Sequence, residues 1–192
     1  MDFSYTIGMM PHFTRSAKWL AVSLSVSFMV GVGCATPRTA GLSQPVWNVC
    51  FSPRGGCTDL VVNTLAQARS TVLVQAYSFT SQPIAQALVD THRRGVQVEV
   101  IVDKSQPTAR GNQLDFVAQA GIPVRIDAAH AIAHNKIMVI DAETVITGSF
   151  NFTEAAEKSN AENLLVIENR ALAEKYEWNW KKHEGHSEPY TP

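Results

Sequence analysis

The tightest constraint on how this chain folds is a strand–helix–strand run near its middle. Thr71–Phe79, T-V-L-V-Q-A-Y-S-F, is mostly apolar, the signature of a strand buried on both faces. Gln82–Arg94 then places Ile84, Ala87, Leu88 and Thr91 on one helical face, and Gly95 stands where helices usually stop. Val96–Val102 is the next apolar run. Upstream, Val46–Phe51 reads as a strand and Cys57–Arg69 as a helix carrying Leu60, Val61, Thr64, Leu65 and Ala68 at helical spacing. Downstream come a helix at Asn112–Ala120 and a short strand at Pro123–Ile126. Strands His134–Ile140 and Thr144–Thr147 are joined by D-A-E as a hairpin, followed by a strand at Glu162–Glu168 and a helix at Ala171–His183. Alternating strands and helices closed by a hairpin predict an α/β fold, a mixed β-sheet sandwiched between helices. A length of 192 residues suits one domain of ordinary size.

Residues 1–34 read as a signal peptide. Arg15 and Lys18 flank an apolar run, Leu20–Val32, that is short for a bilayer span. The run ends in G-V-G-C-A-T, and Cys34 after a small residue is similar to a lipoprotein cleavage site, which would attach the protein to a membrane. Residues 35–45 are a linker, 46–186 the catalytic domain and 187–192 a tail. The expected location is the bacterial periplasm. Export fits the remaining cysteines: Cys50 and Cys57 flank S-P-R-G-G and form either a disulfide or two buried thiols, an oxidising compartment favouring the disulfide.

Formal net charge is −1, and without the first 34 residues 14 basic side chains face 16 acidic ones. That argues against a generic polyanion binder, while leaving room for a local basic rim drawn from Arg93, Arg94, Lys104, Arg110 and Arg125.

The chemistry concentrates in Ala133–Val166. On a strand, His134 and Lys136 point the same way, roughly 6.6 Å apart along the chain. Ser149 and Asn151 share parity after Gly148. An imidazole, an ammonium, a hydroxyl and an amide on one concavity suit a phosphate group. Asp141 lies an odd number of positions from His134, so alternation turns it to the other face and gives it a supporting role in a turn or ion pair. His130 and His134 have the spacing of a helical metal pair, but Pro123 and the flanking β-branched residues argue against a helix. No metal and no cofactor is expected. Tyr176 and Trp180 share a helical face and suit packing, His183 and His186 read as solvated, and Tyr77, Ser78 and Thr80 as a pocket rim.

Together, H-x-K, Asp141 and G-S-x-N, with F-S-P-R-G-G at Phe51–Gly56 and A-Y-S-F-T at Ala76–Thr80, resemble the phospholipase D superfamily. The tail G-S-F-N-F-T-x-A-A resembles its small bacterial endonuclease branch. The resemblance covers about Val46 to Trp180. It implies His134 as a nucleophile forming a phosphohistidine, Lys136, Ser149 and Asn151 as phosphate ligands, and Glu162 as the carboxylate orienting the His134 ring. The larger family members carry the motif twice and this chain once, so it also implies a homodimer with one His134 from each subunit at a shared site. The function expected is metal-independent phosphodiester hydrolysis, as a nonspecific endonuclease on DNA, with RNA as a further substrate. Phospholipid hydrolysis and a non-catalytic role in DNA transfer across the envelope are the rivals.

Overall fold

The apolar run at Thr71 becomes the second strand of an eight-stranded sheet. In the computed structural model, which describes residues 46–192, the elements are β1 (Val46–Ser52), α1 (Cys57–Ala66), β2 (Thr71–Ala76), α2 (Gln82–Arg93), β3 (Gln97–Asp103), α3 (Leu114–Gln119), β4 (Val124–Asp127), β5 (Lys136–Ile140), β6 (Thr144–Gly148), α4 (Glu154–Lys158), β7 (Glu162–Glu168), α5 (Arg170–Glu184) and β8 (Glu188–Pro189). The signal peptide, Cys34 and the linker expected over 1–45 lie outside the described residues. The strand order is β1-β7-β6-β5-β2-β3-β4-β8. β2, β3 and β4 run parallel, as helical crossovers require, and the other pairs are antiparallel.

Both faces of the sheet are covered, but unequally. One face carries Val72, Val74, Val98, Val100, Val102, Met138 and Ile146 against Val61 and Leu65 of α1, Ile84 and Leu88 of α2, and Leu114 and Val117 of α3. On the other, α5 lays Ala173 and Trp180 over Leu73, Ile101, Val139 and Val145. The buried Trp180 indole donates to Val74 O at 2.9 Å, so its one polar atom is satisfied. A single cross-strand row, Leu73–Val139–Val145–Ile167–Trp47, shows where this cover ends. Leu73, Val139 and Val145 are buried, whereas Trp47 on edge strand β1 is 61% exposed, with Val49 and Phe51 exposed beside it.

The Cys50–Cys57 disulfide forms, with 5.5 Å between the two Cα atoms, and ties β1 to the first residue of α1. The D-A-E link is a tight turn with Asp141 and Ala142 at φ 54° and 53°, closed by Glu143 N to Ile140 O at 3.0 Å. Left-handed values at both central residues match the right-handed twist of a hairpin. Gly95 ends α2 at φ 91°, a conformation that penalises a β-carbon.

Several expectations need correction. β5 begins at Lys136, not His134, although Tyr77 N still reaches Asn135 O at 2.8 Å. The helix expected from Asn112 starts at Leu114, because Asn112 folds back to accept from Leu114 N. Residues 187–192 are no loose tail: β8 pairs with β4, Ser187 is buried, Tyr190 N donates to Val124 O at 2.8 Å, and its hydroxyl reaches Asp115. Helix α4 has only five residues, too few for a periodic pattern, and Thr153 caps it by accepting from Ala156 N at 3.1 Å. Of the expected basic rim, Arg94 is spent on Leu65 O and Ala68 O, Arg125 on Ser187 O, and Arg93 pairs with Asp90.

Candidate active site

The topology gathers strand ends. The start of β5, the end of β6 and the start of β7 lie side by side, next to the ends of β2 and β1, through the pairs Ala76–Lys136, Ile137–Thr147, Gly148–Leu164 and Ser52–Glu162. His134, Lys136, Ser149, Asn151 and Glu162 all sit on or just beyond these ends.

His134 is exposed immediately before β5, whereas Lys136 is buried. The Lys136 ammonium lies 2.8 Å from His134 Nδ1 and donates to His134 O at 2.7 Å. Burial pushes the Lys136 pKa below its ordinary value, and the Glu162 carboxylate partly opposes that shift. Tyr77 backs the pair, its ring centroid 4.4 Å from that of His134 and 5.1 Å from Lys136 Nζ. Tyr77 therefore does more than rim a pocket: its ring packs against the imidazole. Its position one residue past a buried strand, in parity with neither motif, gave little sign of that.

Gly148 has φ 152°, and a β-carbon there would sit 2.2 Å from Asn163 O. The glycine is required by the backbone of β7, not by room for a ligand. The turn that follows is held by Ser149 N and Phe150 N, both donating to Asn163 O. Ser149 Oγ accepts from Asn163 N at 3.1 Å. Asn151 follows, and its buried Oδ1 has no hydrogen-bond partner among the described residues. A buried side-chain amide oxygen left unmatched is costly unless something else supplies the partner.

Glu162 does not touch the His134 ring. It accepts from Asn160 Nδ2 at 3.1 Å, and its influence falls on Lys136 instead. Asp141 lies at the far end of β5, where its carboxylate accepts from Arg69 N, Ser70 N, Ser70 Oγ and Thr71 N. Alternation and position both remove it from the His134 cluster, and its role is that of a turn residue, with no ion pair among the described residues. Arg54, at φ 62° just beyond β1, is an exposed cation on the end of the sheet that holds Glu162. Lys104, beyond β3, donates to His130 O at 2.9 Å.

The polar tail K-K-H-E-G-H suggested two solvated histidines; His186 is exposed as expected, whereas His183 is half-buried. With His130 they surround Asp127, which is fully buried. The ring-to-carboxylate distances are 3.2 Å for His130, 2.7 Å for His183 and 3.3 Å for His186. Burial raises the Asp127 pKa, but the hydrogen bonds from His183, His130, His186 and Ala129 N outweigh it and hold the carboxyl at about 2. The legible signal was the repeated three-residue spacing, D-x-x-H at 127 and 130 and H-x-x-H at 183 and 186.

An exposed imidazole stands against a buried ammonium, with hydroxyl and amide groups at adjoining strand ends of an α/β sheet, a donor set that suits a phosphate group. The family profile described as "Cardiolipin synthase, PLD-like domain" matches residues 61–183, and the chain belongs to this phospholipase D family of phosphodiester hydrolases. It is 44% identical to a phospholipase D of Rickettsia typhi over 139 residues, spanning 72% of this chain and 68% of that one. It is 34% identical to a mitochondrial cardiolipin hydrolase of Xenopus laevis over 169 residues, 86% and 76% of the respective chains. Among solved structures it resembles the phospholipase D family member Nuc of Salmonella typhimurium, with 38% identity and a TM-score of 0.74 over 78% of this chain and 100% of that one. It also shares the fold of NucT from Helicobacter pylori, at 20% identity and a TM-score of 0.70.

Proposed function

We propose that this chain is an exported endonuclease that cleaves DNA, and secondarily RNA, through a phosphohistidine on His134. The observation that carries the reading is the His134–Lys136 contact at an exposed strand end, in a domain that superposes on Nuc over all of Nuc. His134 attacks phosphorus, the bond to the leaving oxygen breaks, and that oxygen takes a proton. Water then attacks the phosphohistidine and releases the phosphate monoester and the free imidazole. Attack through Nε2 needs that nitrogen bare, so the ring proton must sit on Nδ1 and face an acceptor. An ammonium cannot accept it. We assign that task to Glu162, which takes Nδ1–H once Lys136 turns from the ring to the phosphate oxygens. Ser149, Asn151 and Arg54 supply further donors to the same oxygens. Asp127 and its three histidines lie outside this group, and the chemistry needs no metal.

The leaving oxygen's acid is a second His134, from an identical chain. One copy of the motif and the exposed Trp47–Val49–Phe51 strip support a two-fold dimer. That strip ends beside Asn163 and Glu162, so a two-fold axis at its Phe51 end would bring two sites together. The Cys50–Cys57 disulfide supports export to the periplasm, with Cys34 as a membrane anchor, and cell fractionation with and without Cys34→Ser tests both points.

A second reading, hydrolysis of membrane phospholipid, is favoured by relatives named phospholipase D and cardiolipin hydrolase. Purified protein incubated with chelator present, on plasmid DNA and on cardiolipin vesicles, decides between them. Nicking of the plasmid with intact lipid supports the nuclease; the reverse overturns it. His134→Ala should abolish either activity, and a variant as fast as the parent rules out the phosphohistidine.

A further inference from the structure

His130, four positions before His134, has Asp127, His183 and His186 as its partners in the structure. Asp127, His130, His183 and His186 each present one ligand atom, and the four atoms lie within 4.8 Å of one another. Tetrahedral zinc with bonds of about 2.0–2.1 Å would hold its donors about 3.3 Å apart. One of the spacings is already there, Asp127 Oδ2 to His186 Nε2 at 3.3 Å, while His183 Nδ1 sits closer, at a hydrogen-bond distance of 2.7 Å that would open on binding. The three rings crowd together, with centroids 4.9 to 5.2 Å apart. One carboxylate does not need three imidazoles to satisfy it. Three imidazoles and a carboxylate are, however, a complete set for a borderline transition metal and a poor one for calcium or magnesium, which take oxygen ligands.

We propose that these four side chains bind one zinc-class divalent ion, in a closed site that leaves no position for substrate. The ligands come from two segments far apart in sequence. Asp127 and His130 belong to the end of β4 and the loop leading to His134; His183 and His186 belong to the end of α5 and the residues beyond it. That loop is otherwise held by Lys104 Nζ on His130 O and by Asp103 Oδ2 accepting from Ala133 N at 2.7 Å. The ion clamps the C-terminal helix to the loop that delivers the nucleophile's segment, and its part is structural.

The full-length protein, stripped by a chelator and dialysed against Zn²⁺ or Co²⁺, tests this directly. One ion per chain is expected, with a rise in Tm on loading. The cobalt form should show tetrahedral absorption without a thiolate charge-transfer band, which excludes Cys34 as a ligand. His130→Ala and His186→Ala alter side chains that are partly exposed, so both variants should fold, as circular dichroism will check. Each should lose well over the about tenfold in affinity that even an outer-shell partner commands. Binding below one equivalent, a thiolate band, or unchanged affinity in both variants would overturn the site. A loaded and an unloaded parent with the same Tm would overturn the clamp.

Discussion

Asp141 belongs to the sequence motif yet stands apart from the His134 cluster, and replacing it separates stability from catalysis. Its carboxylate accepts from four donors: Arg69 N at 3.0 Å, Ser70 N and Ser70 Oγ at 2.8 Å each, and Thr71 N at 3.0 Å. Solvent reaches part of this network, so each bond is worth about 0.5–1 kcal/mol, and together about 2–4 kcal/mol. Alanine at φ 54° adds a left-handed penalty of about 1 kcal/mol. Asp141→Ala should therefore destabilise by about 3–5 kcal/mol. At about 2–4 °C per kcal/mol for a domain of this size, Tm falls by roughly 10 °C. Asp141→Asn tolerates the left-handed turn and keeps one acceptor oxygen, so it should lose about half as much.

The pH dependence has a definite sign. Burial raises the Asp141 pKa, but the bonds from Thr71, Ser70 and Arg69 outweigh it and leave the carboxyl below its ordinary value. A depressed folded pKa stabilises above the unfolded value of about 3.9 and loses that contribution as pH falls through the folded value. The Tm gap between parent and Asp141→Asn should be constant from neutral pH to about 5 and close in more acid buffer. Thermal melts with kcat on a phosphodiester substrate, taken well below both melting points, read the two effects apart. A variant that melts like the parent but has lost its turnover would refute the structural assignment.

Reduction of Cys50–Cys57, or Cys57→Ser, should cost about 2–3 kcal/mol from the chain entropy of so short a loop, visible as a lower Tm in thiol-containing buffer. Gly148→Ala drives a β-carbon against Asn163 O and Leu164 Cα, so the turn carrying Ser149 and Asn151 must shift; a loss of stability of more than about 2 kcal/mol with a fall in kcat is expected, measured by melts and initial rates. Trp47→Ser with Phe51→Ser removes the exposed β1 strip and should give a monomer by sedimentation, with activity falling in step; a monomeric variant at full specific activity would contradict the shared site.

The central sheet was legible because its strands are buried on both faces and composed accordingly: Thr71–Ala76 and Gln97–Asp103 lie within a residue or three of where the apolar runs place them. Strand alternation put His134 and Lys136 on one side and Asp141 on the other, although His134 lies just before β5 and Asp141 is removed also by standing at the far end of that strand. What alternation cannot carry is contact across distant segments. Glu162 has the right parity beside Gly148, but its hydrogen bond goes to Asn160, a neighbour in a turn whose path no periodicity encodes. Asp127 and His183, 56 positions apart, meet only because α5 crosses the sheet to reach the end of β4. Residues 187–192 looked like a tail because a two-residue strand has no pattern of its own, and its place is set by the β4 edge.

The pairing of β1 with β7 carries a further cost in time. Val46 faces Glu168, and Ser52 faces Glu162, so the first strand among the described residues pairs with a strand near the end of the chain. Closing so long a loop slows folding, and until it closes Trp47, Val49 and Phe51 travel as an unzipped apolar ribbon open to strangers. A chain stalled before Glu162 lacks the β7 backbone on which that ribbon is laid down.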